Sequence, residues 1–264
     1  MKKVFKILFL IVAVITLCAF VFFEFASSFE RAWFEMWTEK PLTNAVTEVV
    51  PKSAPEFSGK NIFLTFDADM TPYMKKEQET GKVKQWYDPE LISYLEKNNI
   101  PSTFFLTGMF TEMYPDLVKK LAANSNFSIQ NHSYSHLAFD EDCYGLAADN
   151  SDKERREEIE KAQSAIKLVS GKAPTYFRYP GLCHNAHDDA IVAEEGLSII
   201  KDEFSSGDAY MKKAIDVFYN VLKNINKIHV IVFHMGTKNT PATTAAIKLL
   251  VPKLQKLGYV FKAL

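Results

Sequence analysis

The chain has 264 residues, 47% of them hydrophobic and 24% charged, a balance that supports a sizeable packed core and excludes a disordered polymer. A formal net charge of −1, with no basic patch interleaved with aromatic residues, excludes nucleic acid as an expected partner. The three cysteines, Cys18, Cys143 and Cys183, have no CxxC spacing, which argues against a thiolate metal site or a thioredoxin-type pair.

Lys2, Lys3 and Lys6 stand at the start of a nearly unbroken apolar run from Val4 to Phe23. At about 1.5 Å per residue the run is long enough to cross a hydrocarbon core of about 30 Å. Residues 1–29 are therefore expected to form a membrane-spanning helix or signal segment. Lysines on its N-terminal side favour keeping that end in the cytoplasm, with the rest of the chain translocated outward to a periplasm or cell surface. Ala26-Ser27-Ser28 offers small residues for cleavage, so a secreted domain is the rival to a retained cell-membrane anchor. Cys18 follows Ile15-Thr16-Leu17, without the small residue that a lipoprotein site places before its cysteine, and no lipid is expected there. Residues 30–59 hold Trp33, Trp37, Pro41, Pro51 and Pro55 without sustained periodicity and read as a juxtamembrane linker.

The folded domain is expected over residues 60–264. Strand patterns occur at Asn61 to Phe66, Thr103 to Thr107, Phe127 to Gln130, Thr175 to Arg178, Leu197 to Lys201, His229 to Phe233 and Tyr259 to Ala263. Helical patterns separate them. Asp88-Pro89 caps and opens one helix, Glu154 to Ser170 is stopped by Gly171, Asp188 to Glu195 by Gly196, and Thr240-Pro241 opens the last. Strands alternating with helices predict parallel βαβ units in an α/β fold, either a barrel or a doubly wound sheet.

Chemistry concentrates at the strand ends. Asn61 to Met70 reads as a buried strand climbing to Asp67 and Asp69, where the loops of parallel α/β folds build their sites. His132-Ser-Tyr-Ser-His136 follows the third strand and brings two imidazoles within reach of one cation. Arg178, Asp208 and His234 also lie at or just past strand ends. Taken singly, each has a plainer reading as a solvated loop residue. Their placement at the ends of five different strands is what incidental surface residues would not share.

In this order the segments resemble those of the polysaccharide deacetylases, carbohydrate esterase family four, over roughly Asn61 to Leu264. Leu64-Thr-Phe-Asp67 resembles the opening motif that carries the catalytic base, and His132-Ser-Tyr-Ser-His136 the metal-binding His-Ser/Thr-x-x-His. Phe177-Arg178-Tyr179-Pro180 resembles the arginine motif that orients the base, Ser205-Ser-Gly-Asp208-Ala209 the fourth motif, and Val232-Phe233-His234 the last, which supplies the general acid. The resemblance implies an irregular (β/α)7 barrel and a metal-dependent deacetylase. Its partner would be an acetylated glycan such as peptidoglycan or an exopolysaccharide, its metal ligands Asp69, His132 and His136, and its ion a divalent metal, zinc before others. Asp67 would be the base oriented by Arg178, and His234 the acid held by Asp208.

Three departures stand out. Asp67-Ala68-Asp69 replaces two adjacent aspartates, Gly181 replaces an aromatic residue, and Ala209 replaces a tryptophan. The first keeps open an alternative, a glycan-binding protein of the same fold that has lost its metal and its catalysis. Tyr73, Trp86, Tyr87, Tyr134, Tyr144 and Tyr210 could stack on sugars or fill the core, and only proximity decides between these. His184 and His187 read as loop residues, and His229 as a satisfied strand histidine. Cys143 and Cys183 fall in neighbouring loops of a barrel in an oxidising compartment, which leaves a disulfide and two separate thiols as the alternatives.

Overall fold

The computed structural model describes residues 59–148, 151–200 and 203–264. The expected membrane segment and nearly all of the linker lie outside the described residues. Among the described residues, no helix is long and apolar enough to cross a membrane.

Strand β1, Asn61–Ala68, is buried at every position after Asn61, as a strand covered on both faces must be. Ile62, Leu64, Phe66 and Ala68 join the large cluster that packs against the helices. The ring of Phe66 stacks between Phe104 and Phe233 at 5.6 and 5.8 Å. Phe63 instead enters an inner cluster with Phe105, Tyr176, Ile200 and Val230, and the two-residue period of a strand gives Thr65 and Asp67 the same inward face.

Helix α1, Pro72–Glu79, is capped by Thr71, and α2, Pro89–Lys97, by Asp88, whose carboxylate accepts from the Glu90 N–H. Each has proline where the first turn needs no donor. Next come β2 (Ser102–Leu106), α3 (Gly108–Met113), α4 (Pro115–Ala123) and β3 (Phe127–Asn131). Helix α5, Asp152–Ser170, begins at a Ser151 cap and ends at Gly171 with φ 73°, where the left-handed backbone favours glycine. The order continues with β4 (Tyr176–Phe177), a 3₁₀ turn (Pro180–Leu182), α6 (Ala186–Glu194), β5 (Ser198–Ile199) and β6 (Glu203–Ser205). It closes with α7 (Ala214–Asn224), β7 (Val230–His234), α8 (Thr243–Lys256) and β8 (Val260–Lys262).

The strands pair in the order β5-β4-β3-β2-β1-β7-β6, with β8 beside the start of β1, and every pairing is parallel. The sheet is therefore the curled, parallel α/β arrangement expected, with β5 and β6 as the ends of the order. It differs from seven strands by the short β6. Its three residues, Glu-Phe-Ser, two of them partly buried and Ser205 exposed, carry no apolar run by which the sequence could announce it. The last long helix starts at Thr243 rather than at Pro241, because the Thr240 hydroxyl accepts from the Thr237 N–H and completes a turn instead.

Cys143 and Cys183, forty residues apart, are joined by a disulfide with a Cα–Cα separation of 5.8 Å. Replacing both with serine is expected to lower unfolding free energy by about 2–5 kcal/mol. Denaturant melts of the wild type with and without reductant should differ by the same amount, and coincident curves would contradict it.

Candidate active site

The strand register gathers the site. Asp67 of β1 lies level with His234 of β7 and with Phe105 of β2. Asp69 follows just beyond the strand, while Ala68 between the aspartates is fully buried on the helix side. The alanine thus spaces two carboxylates onto one face.

The His132–His136 loop owes its shape to two buried partners. Ser133 and His136 both adopt positive φ, 63° and 64°, which side chains disfavour unless the surroundings hold them there. Asn131 accepts from the Ser133 N–H at 2.9 Å, and the Ser133 hydroxyl accepts from the His136 N–H at 3.1 Å. Glu158 of α5 accepts three further bonds, from the backbone N–H groups of Tyr134 (3.0 Å) and Ser135 (2.7 Å) and from the Ser135 hydroxyl (2.8 Å). With Nδ1 of His132 donating to the Arg178 carbonyl at 2.8 Å, the Nε2 lone pair of that ring faces Asp69.

Asp69 Oδ1 is 3.4 Å from Nε2 of both His132 and His136, and is a buried oxygen with no hydrogen-bond donor among the described residues. One donor atom from each of the three residues falls within 4.8 Å of the others. Two imidazole nitrogens and a carboxylate whose orphaned oxygen stands level with both fit a divalent cation with three protein ligands and an open position. Burial works against the Asp69 charge, yet His136, His132 and His234 around it hold its carboxyl well below the usual carboxylate range.

Arg178 lies fully buried inside the curled sheet with its guanidinium 3.9 Å from the centre of the Phe105 ring. It donates to Asp67 Oδ1 at 2.5 Å, to the Thr65 hydroxyl at 2.8 Å, and through Nε (2.8 Å) and a terminal nitrogen (2.5 Å) to Glu203 Oε1. Burial pushes the Glu203 carboxyl up, against the pull of Arg178. Across the cleft, His234 Nδ1 donates to Asp208 Oδ1 at 2.8 Å, and Asp208 Oδ2 accepts from the His234 N–H (2.8 Å) and the Thr243 hydroxyl (2.6 Å). Burial disfavours the His234 imidazolium, but Asp208, with Asp69 and Asp67 beyond it, outweighs this and raises its pKa to about 10.

Asp67, Asp69, His132, His136 and His234 line one cleft of about 560 Å³, with Arg178 and Asp208 buried behind it as supports. Tyr144, Leu146, Leu182, Cys183, Val232 and Tyr210 add an apolar wall. Gly181 is part of that wall at φ 70°, and a Cβ there would stand 2.4 Å from Cys143 Sγ, so the disulfide and a bare backbone share the space. His184 pairs with Asp189 and His187 with Asp152, neither of them among the lining residues, and His229 donates to the Asn61 carbonyl. The sequence reading missed Glu203, Thr243 and Glu158. Only the last left a signal, a carboxylate in the same helical stripe as the buried Ile159, Ala162, Ala165 and Ile166.

Residues 54–200 match the family described as Polysaccharide deacetylase, more than half of the chain, although Asp208 and His234 lie beyond that span. A peptidoglycan-N-acetylglucosamine deacetylase of Bacillus cereus is 29% identical over 183 residues, which cover 67% of this chain and 62% of that protein. A chitooligosaccharide deacetylase of Sinorhizobium fredii is 25% identical over 230 residues, covering 81% and 94%. Among solved structures, a CE4 family pseudoenzyme from Bacillus anthracis shares the fold at TM-score 0.61 and 19% identity, over 78% of this chain and 64% of that one.

Proposed function

The chain belongs to the polysaccharide deacetylases, and from that premise we propose that it hydrolyses acetyl groups from an N-acetylated or O-acetylated glycan, peptidoglycan or an exopolysaccharide first among them. The observation that carries this reading is the convergence of the Asp69, His132 and His136 cluster with Asp67 and His234 in one cleft. The proposed ion is zinc, held by those three residues. Bound there, it would polarise the acetyl carbonyl and make a water acidic enough to attack near neutral pH.

The chain's own residues supply the proton transfers. Arg178 holds Oδ1 of Asp67 and orients the carboxylate, leaving Oδ2 to take a proton from the attacking water. Asp208 orients His234 through Nδ1 and favours its protonated state, so that Nε2 can give a proton to the departing amine or alcohol. Gly181, in the cleft wall, is proposed to present its backbone N–H to the tetrahedral oxyanion.

Acetate release across peptidoglycan, chitooligosaccharides and an acetylated exopolysaccharide, read beside metal content, tests the proposal. Near-stoichiometric zinc with acetate release that a chelator abolishes is the expected result. Protein that takes up no metal even after zinc-supplemented preparation would favour the non-catalytic glycan binder, and metal without acetate release from any glycan a hydrolase of other amides.

Residues 1–29 are proposed to anchor the domain outside the cytoplasmic membrane as a single span with its N-terminus inside. Protease added to spheroplasts should digest the domain. Protection there would overturn this topology.

A further inference from the structure

Two tyrosines of the cleft wall have most of their surface in water, Tyr144 at 86% and Tyr210 at 66% exposure. They reach it from different loops. Tyr144 stands between β3 and α5 with its backbone at φ 53°, a region that bulky residues occupy only when their surroundings impose it. Its neighbour Cys143 is fully buried and bonded to Cys183, and the Tyr144 Cδ2 atom lies 3.5 Å from where a Cβ on Gly181 would stand. Tyr210 follows the Gly207 turn, φ 84°, with its hydroxyl oxygen 3.1 Å from the place of a Cβ on Gly207. The missing Cβ at Gly207 leaves room for the Tyr210 hydroxyl to lie close over the backbone. Among the described residues neither ring has a hydrogen-bonded hydroxyl or a stacking partner. Tyr73 is a useful contrast: it is as exposed as Tyr210, but its hydroxyl donates to Glu77 and it does not line the cleft.

A core-sized aromatic surface left in solvent beside a concave, mostly apolar wall is surface that a ligand completes. The geometry points to a sugar-stacking subsite in which Tyr144 and Tyr210 lie against the apolar C–H faces of the sugar units adjoining the acetylated one, with the Cys143–Cys183 disulfide holding Tyr144 at the mouth. Pyranose rings suit such walls because one face presents C–H groups to the negative face of the aromatic ring, while the hydroxyls at the rim stay in water. The subsite rests on the glycan function proposed above and deepens it. It makes the protein prefer chains of several sugars to single acetylated sugars, and it gives the disulfide a part in substrate binding besides stability.

Calorimetric titration of chitotetraose into the chelator-treated full chain reads the subsite without turnover. Tyr144→Ala and Tyr210→Ala are each expected to raise Kd by about five- to tenfold, the range of a lost aromatic stack at tenfold per 1.4 kcal/mol. Tyr144→Phe and Tyr210→Phe, which keep the ring, should stay within about twofold of the wild type. Both side chains are exposed, so their removal opens no core cavity. The double substitution Cys143→Ser, Cys183→Ser should weaken binding as Tyr144→Ala does, and adding it to Tyr144→Ala should cost little more. Tyr→Ala variants that bind like the wild type, Tyr→Phe variants as weak as Tyr→Ala, or a wild type without affinity for the tetramer would each overturn the subsite. Acetate release is measured separately on the zinc-loaded chain. Absent release with binding intact and ring-dependent would sink the deacetylase proposal while the subsite stands.

Discussion

Asp67→Asn is expected to keep its metal and to lower kcat by about a hundred- to ten-thousand-fold, the usual contribution of a positioned general base. The substitution is nearly isosteric, and its amide oxygen can still accept from Arg178, whose other bonds to Thr65 and Glu203 remain. The buried cluster therefore keeps its shape. What is lost is the ability to take a proton, since a carboxamide has no basic oxygen near neutral pH. Asp67 Oδ2 is 3.8 Å from His132 Nε2, farther than the 3.4 Å at which Asp69 Oδ1 stands, so the cation proposed here does not depend on Asp67. Metal analysis beside single-turnover acetate release checks the expectation. Zinc lost together with activity would mean that Asp67 is a ligand and that the roles of the two aspartates are exchanged.

How much of this could be read from the chain alone follows from how local each signal is. β1 was legible because a nearly continuous run of buried residues climbs to acid, and the caps at Asp88 and Gly171 were legible because each acts within its own turn. The motif residues were legible as a set through their positions at strand ends, and the register that sets Asp67 beside His234 brings them together. Long-range supports were not. Glu203 meets Arg178 across 25 residues and Glu158 meets Ser135 across 23, and no periodicity encodes such pairs. β6 was missed for the opposite reason: it is so short that its pairing with β7, and not its own composition, makes it a strand. The disulfide lay between, since neighbouring loops allowed it and only the 5.8 Å Cα separation decides it.

Asp69→Asn is expected to fail differently although it lies two residues away. A neutral carboxamide is a poorer ligand than a carboxylate, and zinc affinity should fall by more than about a hundredfold, the upper range for losing a group that merely supports a ligand. Activity should return in part with excess zinc, because Asp67, Arg178, Asp208 and His234 are untouched. The geometry gives the reason. Ala68 turns its methyl group into the helix-side core, which leaves Asp69 Oδ1 equidistant, at 3.4 Å, from the two histidine nitrogens and without a donor of its own among the described residues. A buried carboxylate oxygen in that state is costly unless a cation meets it. The competing arrangement is a two-histidine site completed by water, with Asp69 holding the water or shaping the loop. It predicts zinc affinity in Asp69→Asn within a few-fold of the wild type, with rates that excess zinc does not restore. Competition against a chromogenic zinc chelator separates the two: near-wild-type affinity would defeat the three-ligand site, and affinity lost but rescued by zinc would establish Asp69 as its third member.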